Sequence, residues 1–163
     1  MVTVSVTRAQ VLEWLSHVPD PEIPVLSIMD LGIVRDVVVN GTVVVALTPT
    51  YTGCPATEVI EQSVIDALHD QGIADVSIDR VLSPPWTTDW ISAAGREKLR
   101  EYGIAPPVAG ASKREMLQGD RAIACPRCRS IETSLVSEFG STACKASYKC
   151  TACLEPFEYF KCI

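Results

Sequence analysis

Four cysteines near the end of the sequence have the spacing of metal ligands. They form two Cys-x-x-Cys pairs, Cys125 with Cys128 and Cys150 with Cys153, separated by a stretch long enough for an antiparallel hairpin. Each pair predicts a tight turn that directs two thiolates to one point, so that four thiolates enclose a tetrahedral metal. A closed shell of four protein ligands is typical of a structural site.

The same ligand set suits more than one metal. Zinc is favoured because it accepts four sulfur ligands without redox demands, although iron in a four-cysteine site or an iron–sulfur cluster would use the same thiolates. Free thiols and a redox-active Cys-x-x-Cys are the competing interpretations. The redox interpretation is the weaker one because neither pair lies at the turn of a βαβ unit.

Two further cysteines lie close to these pairs. Cys144 precedes Cys150 by a few residues, and Cys162 is the penultimate residue. The simpler interpretation of each is a small buried hydrophobic residue or an unused thiol. The alternative is that both supply extra thiolates to a second metal site, and their spacing does not decide between these interpretations.

Cys54 stands apart from the other cysteines, in the segment Thr50-Tyr-Thr-Gly-Cys-Pro55. Gly53 permits an unusual turn and Pro55 fits the first turn of a helix, which places the thiol at or beside the helix N-cap. Amides at a helix N-terminus favour the thiolate form. Such a thiol could act as a nucleophile, a redox sensor or a metal ligand. The ligand role is favoured because His17 and His69 both lie in predicted helices and neither is an evident catalytic base.

Acidic residues in a proline-rich segment could assist Cys54. Asp20 and Glu22 lie in Pro19-Asp-Pro-Glu-Ile-Pro24 and could supply carboxylates near the thiol. A solvent-exposed turn is the simpler explanation of this segment, and Asp30 is likewise explained as a turn residue that bonds its own backbone.

The charge distribution limits the class of partner. The formal net charge is -6, and no lysine or arginine occurs between Arg35 and Arg80. An acidic surface repels phosphate backbones, so nucleic acid is not an expected partner. A solvated helix face explains most of these acids, and a docking surface for a basic partner is the alternative.

The N-terminal segment and the length of the apolar stretches predict the cellular compartment. No leader-like segment opens it, and no apolar run approaches the roughly 20 residues of a spanning helix. We therefore predict a cytoplasmic protein that does not enter a membrane. In that reducing compartment, paired cysteines are expected to bind metal rather than to form disulfides.

Hydrophobic periodicity predicts the elements that must position these residues. Helices are expected over residues 8–18, 55–71 and 92–102, and strands over residues 33–39, 42–48 and 76–82. Asn40-Gly41 between the first two strands is a strong hairpin signal. The elements predict an α+β domain in which packed helices cover a small mixed sheet, followed by a metal-stapled β-ribbon.

Composition predicts the domain boundary. Residues 105–112 are rich in proline, glycine and alanine, which is typical of a linker. We predict an α+β domain over residues 1–104, a linker over residues 105–120 and a four-cysteine ribbon domain over residues 121–163.

Several segments together resemble known families. Asp20-Pro-Glu-Ile-Pro24, Asp30-Leu-Gly-Ile-Val34 and Thr50-Tyr-Thr-Gly-Cys-Pro-Ala56 resemble, in this order, the metal–sulfur cluster biosynthesis domain of cytosolic iron–sulfur assembly and SufT-type factors. Pro84-Pro-Trp-Thr-Thr-Asp-Trp90 and Glu155-Pro-Phe-Glu-Tyr-Phe-Lys-Cys-Ile163 narrow the match to the PaaD family. The resemblance covers nearly the whole chain.

The resemblance implies an accessory protein of the phenylacetyl-CoA epoxidase system of aerobic phenylacetate degradation, a route of aromatic compound catabolism. Such proteins are thought to help mature or insert an iron or iron–sulfur centre, and they are not expected to catalyse epoxidation. The residues agree, because the sequence lacks both the carboxylate and histidine set of a diiron bundle and a glycine-rich nucleotide loop. The other epoxidase components are the expected partners.

Three classes of function follow from these observations. In the favoured one, Cys54 is a transfer ligand for iron or an iron–sulfur cluster, assisted by Asp20 and Glu22, and the ribbon is a structural staple and docking module. One ligand per chain would fit a homodimer or a heteromeric complex. The second class is a non-catalytic structural subunit of the epoxidase, and the third is an independent thiol enzyme, which would require a base near Cys54.

Overall fold

The computed structural model describes residues 6–110 and 122–161. The chain divides into two compact units, residues 1–86 and residues 87–163. No helix in the described residues is long and apolar enough to cross a membrane.

The first unit is an α+β domain built from two helices and three strands. Its elements in chain order are α1 (Arg8–Leu15), β1 (Val34–Asn40), β2 (Thr42–Leu47), α2 (Ala56–Asp70) and β3 (Val76–Arg80). The sheet order is β1-β2-β3, with β2 antiparallel to β1 and parallel to β3. The predicted hairpin, helix and strand are therefore confirmed, and α2 is the crossover connection that a parallel pair requires.

Local sequence signals explain where these elements begin. Thr7 caps α1 with a capping box: its hydroxyl accepts a hydrogen bond from the Gln10 amide at 3.3 Å, and the Gln10 side chain accepts one from the Thr7 amide at 2.9 Å. The helix ends earlier than the predicted residue 18. The hairpin turns at Gly41, with Asn40 paired to Thr42.

The core of the first unit lies between α2 and the sheet. Ile60, Val64 and Leu68 are buried on one face of α2, at the helical spacing seen in the sequence. Burying three such side chains contributes about 1.5–3 kcal/mol each to the stability of the fold. Trp86 is buried at the end of this unit, and its indole N–H donates a hydrogen bond to the Leu31 carbonyl at 2.8 Å.

The second unit is a four-stranded sheet with one long helix. It contains a short 3-10 helix (Thr88–Trp90), α3 (Ala93–Tyr102), β4 (Ile104–Ala105), β5 (Thr133–Ser137), β6 (Lys145–Cys150) and β7 (Pro156–Phe160). The strand order is β4-β7-β6-β5. Strands β5, β6 and β7 are antiparallel, whereas β4 pairs in parallel with β7.

The two compact units divide the chain after residue 86. Residues 87–104, which the sequence predicts as part of the first domain, lie in the same unit as the ribbon, where β4 adds a strand to the ribbon sheet. Part of the predicted linker, residues 111–120, lies outside the described residues.

A buried ion pair holds the loop between β5 and β6. Lys145 is only 4 % exposed, and its Nζ lies 3.2 Å from the Glu158 carboxylate. The Ser141 amide donates to the same carboxylate at 2.6 Å, and a Cβ at Gly140 would lie 2.6 Å from it. Burial alone would raise the pKa of Glu158, but the Ser141 hydrogen bonds and the Lys145 charge outweigh it and the pKa is lowered.

We expect Glu158→Gln to lower the free energy of unfolding of the ribbon by about 2–3 kcal/mol, because the buried Lys145 ammonium loses its counter-charge. The lowered pKa means that this contribution is present above the ordinary glutamate pKa and lost as pH falls through the lowered value. Denaturant unfolding with zinc in excess, followed by the ribbon amides in NMR spectra, measures the loss. Lys145→Met in the same chain should recover part of it. A change below about 0.5 kcal/mol in the single variant would contradict the assignment.

Candidate metal centre and the Cys54 loop

The two Cys-x-x-Cys turns of the second unit have the same backbone geometry. In each, the amide of the first cysteine donates a hydrogen bond to the carbonyl five residues later, Cys125 to Ser130 and Cys150 to Glu155, both at 2.9 Å. In each, the residue after the second cysteine adopts the left-handed backbone conformation, and Arg129 and Leu154 both have φ of 64°. The two halves of the site are therefore repeats of one local structure.

These turns bring the four sulfurs together. The Sγ atoms of Cys125, Cys128, Cys150 and Cys153 all lie within 4.8 Å of one another. Cys125 and Cys153 are 3.8 Å apart, and Cys128 and Cys150 are 3.6 Å apart. A tetrahedron with Zn–S bonds of about 2.3 Å has edges of about 3.8 Å, so the sulfurs fit a zinc ion.

The surroundings of the sulfurs favour metal binding. The Cys153 amide donates to the Cys150 sulfur at 3.5 Å, and this bond is the largest of several hydrogen bonds that together outweigh burial and lower the pKa of Cys150 to about 7. Cys125 and Cys150 are buried against Tyr159 in the core of the ribbon. Zinc held by four thiolates has no open position for substrate, so the centre is a structural staple.

An ion pair joins the two turns outside the sulfur cluster. Arg127, in the first turn, contacts the carboxylate of Glu155, which follows the second. This hydrogen bond raises the pKa of Arg127. The sequence does not predict this pair, because a basic residue inside one Cys-x-x-Cys and an acidic residue after the other are its only signal.

The structure separates Cys144 from the four-sulfur cluster. Cys144 is 5 % exposed, and its sulfur lies 3.0 Å from the Thr142 hydroxyl. Within the described residues, Cys144 belongs to no group of three or more metal-ligating side chains. Its burial fits the simpler interpretation of a small buried residue. Cys162 lies outside the described residues.

Cys54 lies in the loop between β2 and α2. Its side chain is 9 % exposed, its amide donates to the Tyr51 carbonyl at 3.3 Å, and its carbonyl accepts from the Thr57 amide at 3.1 Å. Gly53 has φ of +80°, which a residue with a Cβ rarely adopts. The helix begins at Ala56 with Pro55 as its N-cap, so Cys54 immediately precedes the cap.

A buried hydroxyl lies at the base of the same loop. Thr48 follows directly after β2, is 1 % exposed, and its Oγ1 has no hydrogen-bond partner within the part of the chain that the structure describes. Such a buried polar atom is uncommon in a folded protein.

The acidic residues take part in local turns. The Asp20 carboxylate accepts hydrogen bonds from the amides of Glu22 at 2.9 Å and Ile23 at 2.7 Å. The Asp30 carboxylate accepts from the Ser27 amide at 3.0 Å. These contacts match a turn at both residues, but the turn at Asp20 is not solvent-exposed, because Asp20 is only 6 % exposed. Across residues 6–110 and 122–161, the four ribbon cysteines form the only group of three or more metal-ligating side chains, and this group does not include Cys54, Asp20 or Glu22.

Two family models match the two parts of the chain. The iron–sulfur cluster assembly protein family matches residues 8–79, and the PaaD zinc beta ribbon domain matches residues 109–161. Their order agrees with the α+β unit followed by the four-cysteine site.

Relatives match both the whole chain and its first unit. A protein of Escherichia coli (strain K12), named "Putative 1,2-phenylacetyl-CoA epoxidase" and designated as one of its subunits, is 54% identical over 150 residues, which cover 91% of this chain and 89% of that protein. An Fe-S protein maturation auxiliary factor of Porphyromonas gingivalis is 36% identical over 101 residues, covering 60% of this chain and 92% of the relative.

A solved structure agrees on the fold. A conserved hypothetical protein from Thermotoga maritima superposes with a TM-score of 0.52 at 31% identity, covering 60% of this chain and 98% of the other. With an assembly domain, a four-thiolate zinc ribbon and a relative that matches nearly its full length, this chain belongs to the PaaD family.

Proposed function

We propose that this protein is an accessory subunit of the phenylacetyl-CoA epoxidase system that assists assembly or maturation of its iron or iron–sulfur centre. The observation that carries the proposal is the assembly domain over residues 8–79, shared with relatives named as Fe-S protein maturation auxiliary factors. The near full-length relative named as an epoxidase subunit supports the pathway. The protein acts on other components of that system and does not itself catalyse epoxidation.

The four ribbon cysteines and Cys54 have different roles in this proposal. A metal held by the four ribbon thiolates is not released easily, because every position around it is filled by protein. Cys54 supplies one sulfur, so iron or a cluster bound there keeps positions open for a recipient protein. We assign the cargo to Cys54 and the structural metal to the ribbon.

The loop around Cys54 must rearrange for cargo to bind. The thiol is 9 % exposed, and the backbone bonds to Tyr51 and Thr57 hold it inward. Opening a short loop with few such bonds costs less than unfolding the domain. Asp20 or Glu22 would complete the coordination only after such a rearrangement, since no group of three ligands forms around Cys54 in the described residues.

Replacing Cys54 by alanine is expected to remove cargo and to leave the ribbon metal in place. Wild-type protein purified without oxygen should contain about one zinc per chain together with iron and acid-labile sulfide. Cys54→Ala should keep the zinc, but its iron and sulfide content per chain should be at least about tenfold lower than that of the wild type, because the cargo loses its protein ligand. Metal analysis and sulfide assay of both proteins measure this.

Cys144→Ala is the matched control, since Cys144 is a buried cysteine outside the sulfur cluster. It should retain both metals. Equal iron and sulfide in wild type and Cys54→Ala would contradict the transfer role. Normal epoxidase activity in cells that carry Cys54→Ala would favour the second candidate, a non-catalytic structural subunit of the complex, which the epoxidase name of the relative also accommodates.

A further inference from the structure

The edge strand β5 of the ribbon sheet lacks the protection that the other sheet edges have. It carries no charged residue within Thr133–Ser137, and Leu135 and Val136 are 51 % and 66 % exposed. Charged residues lie in both edge strands of the first unit, and β4 is a buried strand of two residues. Exposed edges of this kind offer unpaired backbone groups to another strand.

Apolar side chains are also exposed just beyond both ends of β5. Ile131 before the strand and Phe139 after it are each 66 % exposed. Lys161 holds Phe139 in place: its Nζ lies 4.7 Å from the ring centroid and donates to the Glu138 carbonyl at 2.9 Å. We call residues 131–139 the β5 edge. Side chains of this size that remain exposed together mark an interaction site.

A β-bulge within the strand limits what can pair with it. The register against β6 shifts between Leu135 and Ser137, so Val136 is the extra residue. Bulges interrupt a flat ladder and re-aim a side chain, which opposes open-ended aggregation. The β5 edge therefore suits a short segment.

The charges at the β5 edge indicate which residues a bound segment would carry. Glu132 and Glu138 stand at the two ends, and neither carboxylate takes part in an ion pair with any described residue. The Lys161 ammonium at the Glu138 end bonds the Glu138 backbone carbonyl rather than its carboxylate. We propose that the β5 edge binds an extended segment of a partner protein, with apolar side chains at its centre and a lysine or arginine towards each end. The segment adds to the sheet as a fifth strand.

A second copy of this chain fits the β5 edge less well. In an antiparallel self-pairing centred on Leu135, Glu132 of each copy would lie opposite Glu138 of the other. Like charges directly opposite each other destabilise a strand pair, and this arrangement would create two such pairs. A basic segment would meet both carboxylates favourably.

A designed peptide tests the proposal directly. The probe is a fluorescently labelled Lys-Val-Thr-Val-Thr-Val-Lys peptide, compared with the same peptide carrying glutamate at both ends and with one methylated at alternate backbone nitrogens. Fluorescence anisotropy on the full-length zinc-loaded protein should show the lysine peptide binding about tenfold more tightly than the glutamate peptide, as two exposed ion pairs would give. The methylated peptide should bind least well, since it cannot form the ladder.

Variants locate the binding surface. Val136→Lys should weaken binding of the lysine peptide about tenfold or more, because it places a cation in the apolar centre. Val38→Lys, at an exposed valine of strand β1, is the matched control and should bind the peptide as wild type does. Unchanged zinc content establishes that the ribbon is folded in both variants, and an unchanged far-UV circular dichroism spectrum establishes that the first unit of Val38→Lys is folded.

Three results would overturn the proposal: no binding of the lysine peptide, tighter binding of the glutamate peptide than of the lysine peptide, or a wild-type dimer that Val136→Lys dissociates in sedimentation experiments. The last would assign the edge to a second copy. The proposal is independent of the cargo role, since Cys54→Ala should bind the peptide normally and Val136→Lys should retain iron and sulfide.

Discussion

Cys150→Ser is expected to abolish zinc binding and to unfold the ribbon. The serine oxygen is a poor zinc ligand, and the site loses one of two buried sulfurs that pack against Tyr159. Structural zinc contributes apparent binding energies of about 10–16 kcal/mol in small domains, which exceeds what a sheet of this size gains from packing. Zinc per chain should fall from about one to well below half.

The loss should be confined to the second unit. Hydrogen exchange of Cys150→Ser should show unprotected amides in β5, β6 and β7, while α2 remains protected. Cys144→Ser is the control: it changes a buried cysteine that lies outside the sulfur cluster, and it should keep the zinc at a cost of about 1 kcal/mol. A Cys150→Ser protein that retained one zinc and a protected ribbon would refute the four-thiolate site.

Trp86→Ala is expected to lower the free energy of unfolding of the first unit by about 3–5 kcal/mol. The indole is 3 % exposed, and its removal creates a large cavity. It also removes the N–H that donates to the Leu31 carbonyl. Guanidinium unfolding followed by far-UV circular dichroism measures the loss.

Two further variants separate packing from hydrogen bonding at Trp86. Trp86→Phe keeps most of the apolar volume and leaves the Leu31 carbonyl without this donor, so a loss of about 1–3 kcal/mol is expected. Trp14→Ala removes a half-buried tryptophan from α1 and should cost less than Trp86→Ala. If Trp86→Ala cost no more than Trp14→Ala, the inferred burial of Trp86 would be wrong.

The elements that the sequence predicts are those with strong local signals. Asn40-Gly41 predicts the hairpin because only a few residues tolerate its turn, and Thr7, a residue type favoured at helix N-caps, predicts the start of α1. The four ribbon cysteines could be assigned because paired Cys-x-x-Cys turns leave little choice of geometry. In each case the decisive residues are neighbours in the chain.

The features that the sequence does not predict depend on distant residues. Strand β4 has two residues and no pattern of its own, and it exists because β7 lies beside it. Arg129 and Leu154 adopt the left-handed backbone conformation although neither is glycine, so no residue type in the sequence indicates it. The sequence favours a turn at Asp20, but only the structure shows that the Asp20 carboxylate accepts hydrogen bonds from the amides of Glu22 and Ile23.

The parallel pairing of β4 with β7 bears on the order in which the second unit folds. Ile104 aligns with Glu158, so the first strand of this sheet and the last lie far apart in the chain. Contacts of long sequence separation carry a large loop-closure entropy and form slowly. A metal bound to both Cys128 and Cys150 would close part of that intervening chain and lower the entropic cost of the pairing. During synthesis, Ile104 and Ala105 therefore cannot form β4 until β7 has been synthesised.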